Sequence, residues 1–195
     1  MKVIIINKKK LAVFIIIVGF MCTLLGIGKN FENKIKTTIF IQNNIKVLKT
    51  YDGLNKKLSY KLPSLWTTNQ LSFSGGEIVY HNDFKADDIK LHGFVEVWNF
   101  NDNLKSFLDK SKDISDMQNI NHNYTINEIK VNNKPGYLVS YDAVVSTNAT
   151  YKAYEYFIQN KGQFIRFSFF INQENFKENM PAIFNAIVQT LNYSN

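Results

Sequence analysis

Hydrophobic residues along this chain follow two patterns: one unbroken apolar run near the N-terminus, and apolar positions that alternate with polar ones from about residue 45 onward. Alternation with a period of two is typical of β-strands whose faces have different surroundings. Gly, Pro, Asn and Asp separate the alternating segments, as they do in turns. The pattern predicts strands over residues 45–51, 57–62, 77–81, 92–100, 124–131, 137–145, 151–159 and 163–171.

Helical spacing occurs in two places within the alternating part. Leu104, Phe107 and Leu108 lie at positions i, i+3 and i+4. They predict a helix over 103–111 that is capped by Asp102, and a further short helical stretch is expected over 114–120. A C-terminal amphipathic helix, capped near Asn172, is predicted from the apolar positions Phe176, Met180, Ile183, Phe184, Ile187 and Leu191.

The turns indicate how the predicted strands are connected. Residues 132–136 contain a Pro-Gly pair and join two strands into a hairpin, and residues 160–162 join the next two. The strand predicted over 92–100 has apolar residues on both faces, which indicates a sheet covered on both sides. The sequence therefore predicts an α+β fold in which an antiparallel sheet is flanked by helices.

The N-terminal apolar run has nearly the length of a membrane span. Residues 11–27 carry no charge, the uncharged stretch extends to Gly28, and Lys8, Lys9 and Lys10 precede it. About 20 apolar residues cross a bilayer core about 30 Å thick, and basic residues favour the cytoplasmic side. We therefore expect a cytoplasmic N-terminus at 1–10, a single transmembrane anchor at 11–28, a stalk at 29–44 and one domain at 45–195 outside the cytoplasm.

Three other interpretations of the apolar run remain open. A cleaved signal peptide requires small residues at its cleavage site, and no such pair follows the run before Lys29. A lipoprotein signal would use Cys22, the one cysteine of the chain, but Phe20 and Met21 before it are bulky. A buried helix of a soluble protein would have a polar face, which this run lacks. The anchor is the favoured interpretation.

The formal charge of +7 does not indicate nucleic-acid binding. Seven of the 23 basic residues lie in the first 36 positions, and the remainder of the chain has 16 basic and 15 acidic residues. Arg166 is the one arginine, whereas recognition of bases relies on the arginine fork. We therefore predict no nucleic-acid partner. The predicted partners are the lipid bilayer, through one helix, and an envelope protein.

Several segments resemble the PsbP-like superfamily. The segment LSYKLPSLW at 58–66 is similar to that family's opening, and VNNKPGY at 131–137 and the ending from Phe167 to Leu191 also fit. The resemblance covers roughly 45–193 and implies a sheet between helices, an α/β/α sandwich. The family includes a photosystem extrinsic subunit, a Ran-binding protein and bacterial anchored proteins of unknown role. Because the shared residues are turn and packing residues, the resemblance implies a fold more than a function.

Two groups of polar residues are candidates for chemistry. Oxygen and imidazole ligands in the densest polar cluster could hold a divalent metal, although a solvated loop is the favoured interpretation. In the predicted strands, Arg166 could pair with a carboxylate across the sheet, as a structural ion pair rather than an acid/base pair. The first group comprises His81, Asp83, Asp87, Asp88 and His92, and the second comprises Glu96, Glu155 and Arg166.

The motifs of common enzyme classes are missing from the sequence, which has no nucleophile elbow, phosphate-binding glycine loop or Cys–His pair. We assign no catalytic, cofactor-binding or metal-binding residue, and expect a non-enzymatic domain for protein interaction or scaffolding at the bacterial cell envelope. One alternative is a small-ligand or lipid carrier with an apolar groove between the sheet and the C-terminal helix, near Trp66 or Trp98. The other is a metal-dependent hydrolase that uses His81, Asp83 and His92.

Overall fold

The computed structural model describes residues 47–118, 121–146 and 149–194, all within the compact unit Ile45–Asn195. These residues form ten strands, two α-helices and a 3-10 turn at Gln173–Asn175. The helices are α1 (Leu104–Gln118) and α2 (Met180–Val188). The strands are β1 (Leu48–Gly53), β2 (Leu58–Pro63), β3 (Thr67–Leu71), β4 (Ile78–Ala86), β5 (Leu91–Asn99), β6 (Asn121–Val131), β7 (Lys134–Ser146), β8 (Ala149–Asn160), β9 (Gln163–Asn172) and β10 (Asn192–Tyr193).

Most strands belong to one antiparallel sheet with the order β3-β4-β5-β9-β8-β7-β6. The two predicted hairpins, β6–β7 and β8–β9, are confirmed. The turn of the first was predicted wrongly: it is Asn132–Asn133, both with positive φ, and Pro135 and Gly136 lie within β7. A second, three-stranded sheet has the order β1-β2-β10. Strand β5 lies beside β9 rather than beside β6, so α1, the first hairpin and β8 are inserted between these two neighbours.

The seven-stranded sheet has two faces with different chemistry. One, which we call the core face, carries Phe167 and Phe169, both fully buried. The ring of Phe169 stacks on Phe184 of α2 at 4.4 Å between centroids, and Phe167 meets Tyr60 of β2 edge-on at 5.6 Å. Helix α2 and the small sheet therefore cover the core face and exclude water from it.

The opposite face, which we call the polar face, carries Arg166 and Ser168 because side chains alternate along β9. Helix α1 covers one end of this face, where Leu104 and Leu108 pack in a cluster with Val139, Phe157 and Phe164. The sheet therefore has one helix on each face, as the prediction of a flanked antiparallel sheet required. The cap of α1 is Asn103, whose Oδ1 accepts the Ser106 N–H at 2.9 Å, and not Asp102 as predicted.

The structure differs from the predicted elements where polar residues lie on exposed faces. Strand β4 continues through Ala86 because Asn82, Phe84 and Ala86 alternate toward the core face, although their neighbours are polar. Strand β3 has no apolar alternation and is held at the sheet edge by pairing with β4.

The helices also differ from their predicted bounds. Helix α1 is continuous through Gln118 instead of ending near residue 111, and the i, i+4 pairs Lys105–Asp109 and Lys112–Asp116 lie along it. The C-terminal helix begins only at Met180, with Pro181 in its first turn, where the missing N–H costs nothing. Asn172 caps the preceding 3-10 turn instead, by accepting the Glu174 N–H at 2.9 Å.

The anchor predicted at 11–28, with the flanking segments 1–10 and 29–44, lies outside the described residues. Among residues 47–118, 121–146 and 149–194, no helix is long and apolar enough to cross a membrane.

Candidate functional site

A network of charged and polar side chains crosses five strands of the polar face. It begins at Asp83 on β4, passes through Glu96 on β5 and Arg166 on β9, and ends at Glu155 on β8 and Tyr141 on β7. Adjacent members are brought together by strand register, since Glu96 lies opposite Arg166, and β8 and β9 are neighbours in the sheet. The predicted ion pair of Arg166 with a carboxylate across the sheet is therefore confirmed, with two carboxylates rather than one.

Arg166 contacts two carboxylates and two aromatic rings. Its Nε donates to Glu155 Oε2 at 2.7 Å, its Nη2 pairs with the same oxygen, and its Nη1 lies 3.6 Å from Glu96 Oε2. The rings of Phe94 and Phe157 lie 4.9 and 5.4 Å from the guanidinium carbon. Burial by itself would lower the pKa of Arg166, but the adjacent Glu155 raises it, so the side chain stays charged.

Glu155 is almost fully buried, and its carboxylate has a complete set of donors. Besides Arg166, Ser168 Oγ donates to Oε2 and the Tyr141 hydroxyl donates to Oε1, both at 2.7 Å. Burial raises the pKa of the Tyr141 hydroxyl, and the negative charge of Glu155 raises it further. The tyrosine therefore remains a neutral donor, which allows a carboxylate to remain charged beneath the surface.

Glu96 connects Arg166 to a buried histidine. Its Oε2 accepts the indole N–H of Trp98 at 2.7 Å, and its Oε1 lies 2.8 Å from His81 Nδ1. The other ring nitrogen of His81 lies 2.8 Å from Asp83 Oδ1. Because carboxylates only accept hydrogen bonds, both contacts are satisfied when the ring is a doubly protonated imidazolium. The two carboxylates therefore fix the orientation of the His81 ring.

The polar cluster around His81 lies partly in strands and partly in a turn, rather than wholly in a solvated loop. His81 and Asp83 lie within β4, and His81 is 7% exposed. His92 lies on β5, where its ring stacks on Phe170 at 5.2 Å, and burial lowers its pKa although Asp83 partly offsets this effect. Asp87 and Asp88 are exposed in the turn after β4. Within the described residues, no three side chains of this type are placed to hold a metal ion.

A cavity of about 230 Å³ lies between α1 and the polar face, beside the network. Arg166, Glu155 and Tyr141 contribute polar groups from the sheet, and Ser115 contributes one from α1. The Oγ of Ser115 is buried and has no hydrogen-bond partner among the described residues. The aromatic side chains that line the cavity are Trp98, Phe107, Tyr124, Tyr141, Phe157 and Phe164.

The groove that the sequence suggested between the sheet and the C-terminal helix is filled by side chains. Phe169 and Phe184 stack there, and Ile187 is fully buried. Trp66 stacks on Phe84 at 5.2 Å and is part of this core, whereas Trp98 lines the cavity on the opposite face. The groove is therefore not found at the predicted location, and a role of Trp98 in ligand binding stays a prediction.

Sequence reasoning missed Tyr141, Ser168 and Ser115. The first two could have been recognised from the alternation of side chains, once the strands are paired. Tyr141 then lies on the same face of the sheet as Glu155, and Ser168 on the same face as Arg166. Ser115 carried none, because a serine on a helix gives no indication of whether it faces solvent or protein.

No family model and no curated protein matches this sequence. Solved structures do match, among them the solution structure of cyanobacterial PsbP (CyanoP) from Synechocystis, with a TM-score of 0.54 and 13% sequence identity over 75% of this chain and 92% of that one. A crystal structure of a protein from Bacteroides thetaiotaomicron matches with a TM-score of 0.52 and 12% identity, over 75% of this chain and 48% of that one. The chain thus spans about half the length of the second protein.

The class of domain follows from these observations: a mostly antiparallel β-structure with a helix on each face of its large sheet. It has the PsbP-like fold, as the resemblance in sequence implied. At such low identity the similarity shows the fold alone, so function has to be argued from this chain's own residues.

Proposed function

We propose that this is a non-enzymatic domain that binds an envelope protein at the outer face of a cytoplasmic membrane. The observation that supports this proposal is an exposed apolar stripe on α1. Phe107 is 40% exposed, Ile114 55% and Met117 84%. Large apolar side chains that share an exposed helix face are typical of protein–protein contacts.

Two residues of the stripe, Ile114 and Met117, are exposed away from the sheet, whereas Phe107 also packs on Phe164 of β9. Phe107 and Ile114 are seven residues apart, which is about two helical turns, and Met117 follows three residues later. Leu104, Leu108 and Ser115 face the domain instead and are buried. A partner can therefore contact the stripe without unpacking the helix.

Site-specific crosslinking in the intact chain tests this proposal. A photoreactive residue at Ile114 or Met117 should crosslink to one discrete protein, whereas the same residue at Asp109, an exposed position on another side of α1, should not. The double variant Ile114→Glu, Met117→Glu should lose the same partner while keeping its far-UV circular dichroism spectrum. Equal crosslinking at Asp109, or none at either stripe position, would contradict the proposal.

The location at the membrane is a proposal based on the uncharged run at 11–28 and the lysines before it. The intact chain should remain in the membrane pellet after alkaline carbonate extraction, and its domain should be digested by protease added outside spheroplasts. A chain that starts at residue 29 serves as the control and should be extracted. A mature N-terminus beyond residue 20, measured by mass spectrometry, would instead indicate signal cleavage.

A second candidate function is the binding of a small molecule, and the cavity beside Arg166 is the observation that favours it. Cavities lined by aromatic side chains with a few polar groups are the usual ligand sites of proteins. Ligand binding and partner binding would both involve α1, since Phe107 belongs to the stripe and also lines the cavity.

A further inference from the structure

We infer that the cavity between α1 and the polar face binds a small, uncharged aromatic molecule that carries a hydrogen-bond acceptor. This inference rests on the second candidate function and specifies the class of ligand. It depends on the size of the cavity, its aromatic lining, the hydrogen-bonding groups left unused there, and the balance of charge around Arg166.

The size of the cavity limits the ligand to one ring with a substituent. Its volume is about 230 Å³, and an apolar cavity of about 150 Å³ is enough to hold benzene. A substituted benzene fits this space, whereas a lipid chain or a nucleotide does not.

Aromatic rings line the cavity and are already fixed in orientation. Trp98 stacks on Phe164 with 5.8 Å between centroids, and Tyr124 stacks on Tyr141 at 5.2 Å, with interplanar angles of 11° and 6°. Rings held in this way provide flat contact surfaces without a loss of side-chain freedom on binding. They favour a planar ligand over an aliphatic one of the same volume.

Among the polar groups at the cavity, Arg166 and Ser115 have unused hydrogen-bonding capacity. Arg166 uses its Nε and Nη2 on Glu155, but Nη1 is 3.6 Å from Glu96 Oε2, which is longer than a hydrogen bond. The Ser115 Oγ, in a residue only 6% exposed, has no partner among the described residues. A buried hydroxyl without a partner is costly, and a ligand that contacts it removes that cost. The guanidinium donors require the ligand to have an acceptor.

The charges around the cavity disfavour ions of either sign. Glu155 is a buried carboxylate in the lining that would repel an anion, and the guanidinium of Arg166 would repel a cation. The negative charge of Glu155 extends into the cavity, since it contributes to raising the pKa of Tyr124, after the larger effect of burial. An uncharged ligand enters without breaking the pairing of these groups.

Three molecules of nearly identical shape test the inference: benzamide, benzoate and benzamidine, which are neutral, negative and positive. Binding is measured by ¹⁹F NMR of the full-length chain in phospholipid nanodiscs, with 5-fluorotryptophan at the chain's two tryptophans. Benzamide should shift the resonance of Trp98, in the cavity, and leave that of Trp66, in the core, unchanged. We expect benzoate and benzamidine to bind at least about tenfold more weakly, because a charge is costly to desolvate there.

A pair of variants on the same helix localises the site. Ser115→Leu places a larger side chain in the cavity and should abolish the benzamide shift, whereas Ser106→Leu adds the same side chain at an exposed position and should retain it. If Ser115→Leu does not fold, the comparison of Trp98 with Trp66 in the unaltered chain decides the question.

The outcomes distinguish an error in the assigned ligand class from an absence of ligand binding at the cavity. Stronger binding of benzoate or benzamidine at Trp98 would overturn the assigned ligand class and leave ligand binding in place. No shift of Trp98 with any of the three, or a shift that survives Ser115→Leu, would overturn the inference together with the second candidate function. Neither result affects the crosslinking test of the α1 stripe.

Discussion

Arg166 directs its Nε and Nη2 to a single oxygen of Glu155, Oε2, and leaves the other carboxylate oxygen to the Tyr141 hydroxyl. The two residues lie on neighbouring strands in the middle of the large sheet. The guanidinium therefore neutralises a carboxylate that the sheet has removed from water, and it also lies close to Glu96.

Removal of the Arg166 charge should destabilise the domain strongly. Arg166→Met leaves Glu155 and Glu96, both about 5% exposed, without their cation. Breaking a buried pair in this way costs about 3–5 kcal/mol. The free energy of unfolding, measured by urea denaturation, should fall by that amount.

The matched control is Lys85→Met, which breaks an exposed pair with Asp87. Its effect should be below about 1 kcal/mol, because exposed ion pairs contribute little. The double variant Arg166→Met, Glu155→Gln should recover part of the loss. An equal loss of unfolding free energy in Lys85→Met and Arg166→Met would show that the network is not buried.

Stability should decrease at alkaline pH because of Tyr124. Burial, assisted by Glu155, raises the pKa of Tyr124 to about 12, against 10.0 for a free tyrosine. Between these values the unfolded chain has lost the proton that the folded chain retains, so the free energy of unfolding falls as pH rises from 10 to 12. In Tyr124→Phe the slope should be smaller by about one proton.

Urea titrations at several pH values, with tyrosine ionisation followed by absorbance at 295 nm, measure this slope. An identical pH dependence in Tyr124→Phe and the unaltered chain would mean that Tyr124 ionises freely in the folded protein.

Two leucines that lie three positions apart provide a test of the core. Leu62 of β2 is fully buried, and Leu65 in the following turn is 82% exposed. Leu62→Ala should lower the free energy of unfolding by about 2–5 kcal/mol because it leaves a cavity. Leu65→Ala should change it by less than about 0.5 kcal/mol. A comparable loss in both variants would contradict the placement of β2 against the core.

Gly93 allows β5 to approach its neighbours closely. A Cβ at this position would overlap the Ser168 carbonyl oxygen and lie 2.6 Å from a ring atom of Phe84. Gly93→Ala should therefore destabilise the domain by about 3 kcal/mol or more, since backbone on one side cannot move away.

Gly76→Ala is the comparison for Gly93. At Gly76 a Cβ would meet nothing within 4 Å, but the φ of +77° is unfavourable for alanine. The expected cost there is about 1–2 kcal/mol. A melting temperature of Gly93→Ala at or above that of Gly76→Ala would show that the strands relax around the added methyl group.

The hairpins and the helices on the sheet could be predicted because their signals are local. The Asn132–Asn133 turn and the alternation around Phe167 depend on neighbouring residues alone. Strand β3 could not, because its exposed edge position is stabilised by pairing with β4 and not by a hydrophobic pattern. His81 was predicted at the end of a strand, whereas β4 continues through Ala86 because it pairs with β3 and β5.

The candidate site shows the same division. The sequence identified Glu96, Glu155 and Arg166 as charges within strands and predicted that they pair, because a charge is costly to bury alone. Which carboxylate contacts which nitrogen depends on strand register, and the presence of a cavity depends on where α1 lies on the sheet. Neither the strand register nor the position of α1 is determined by a local stretch of residues.

The sequence by itself determined the class of fold, the order of the hairpins and the need for compensation of the charges within strands. It did so because period, turn chemistry and desolvation act on residues that are near in the chain or on single side chains. Only the tertiary structure decided that Trp98 and Ser115 line one cavity while Trp66 lies in the opposite core. Contacts between distant residues depend on the packing of whole elements, and a one-residue change of register would move each side chain to the other face.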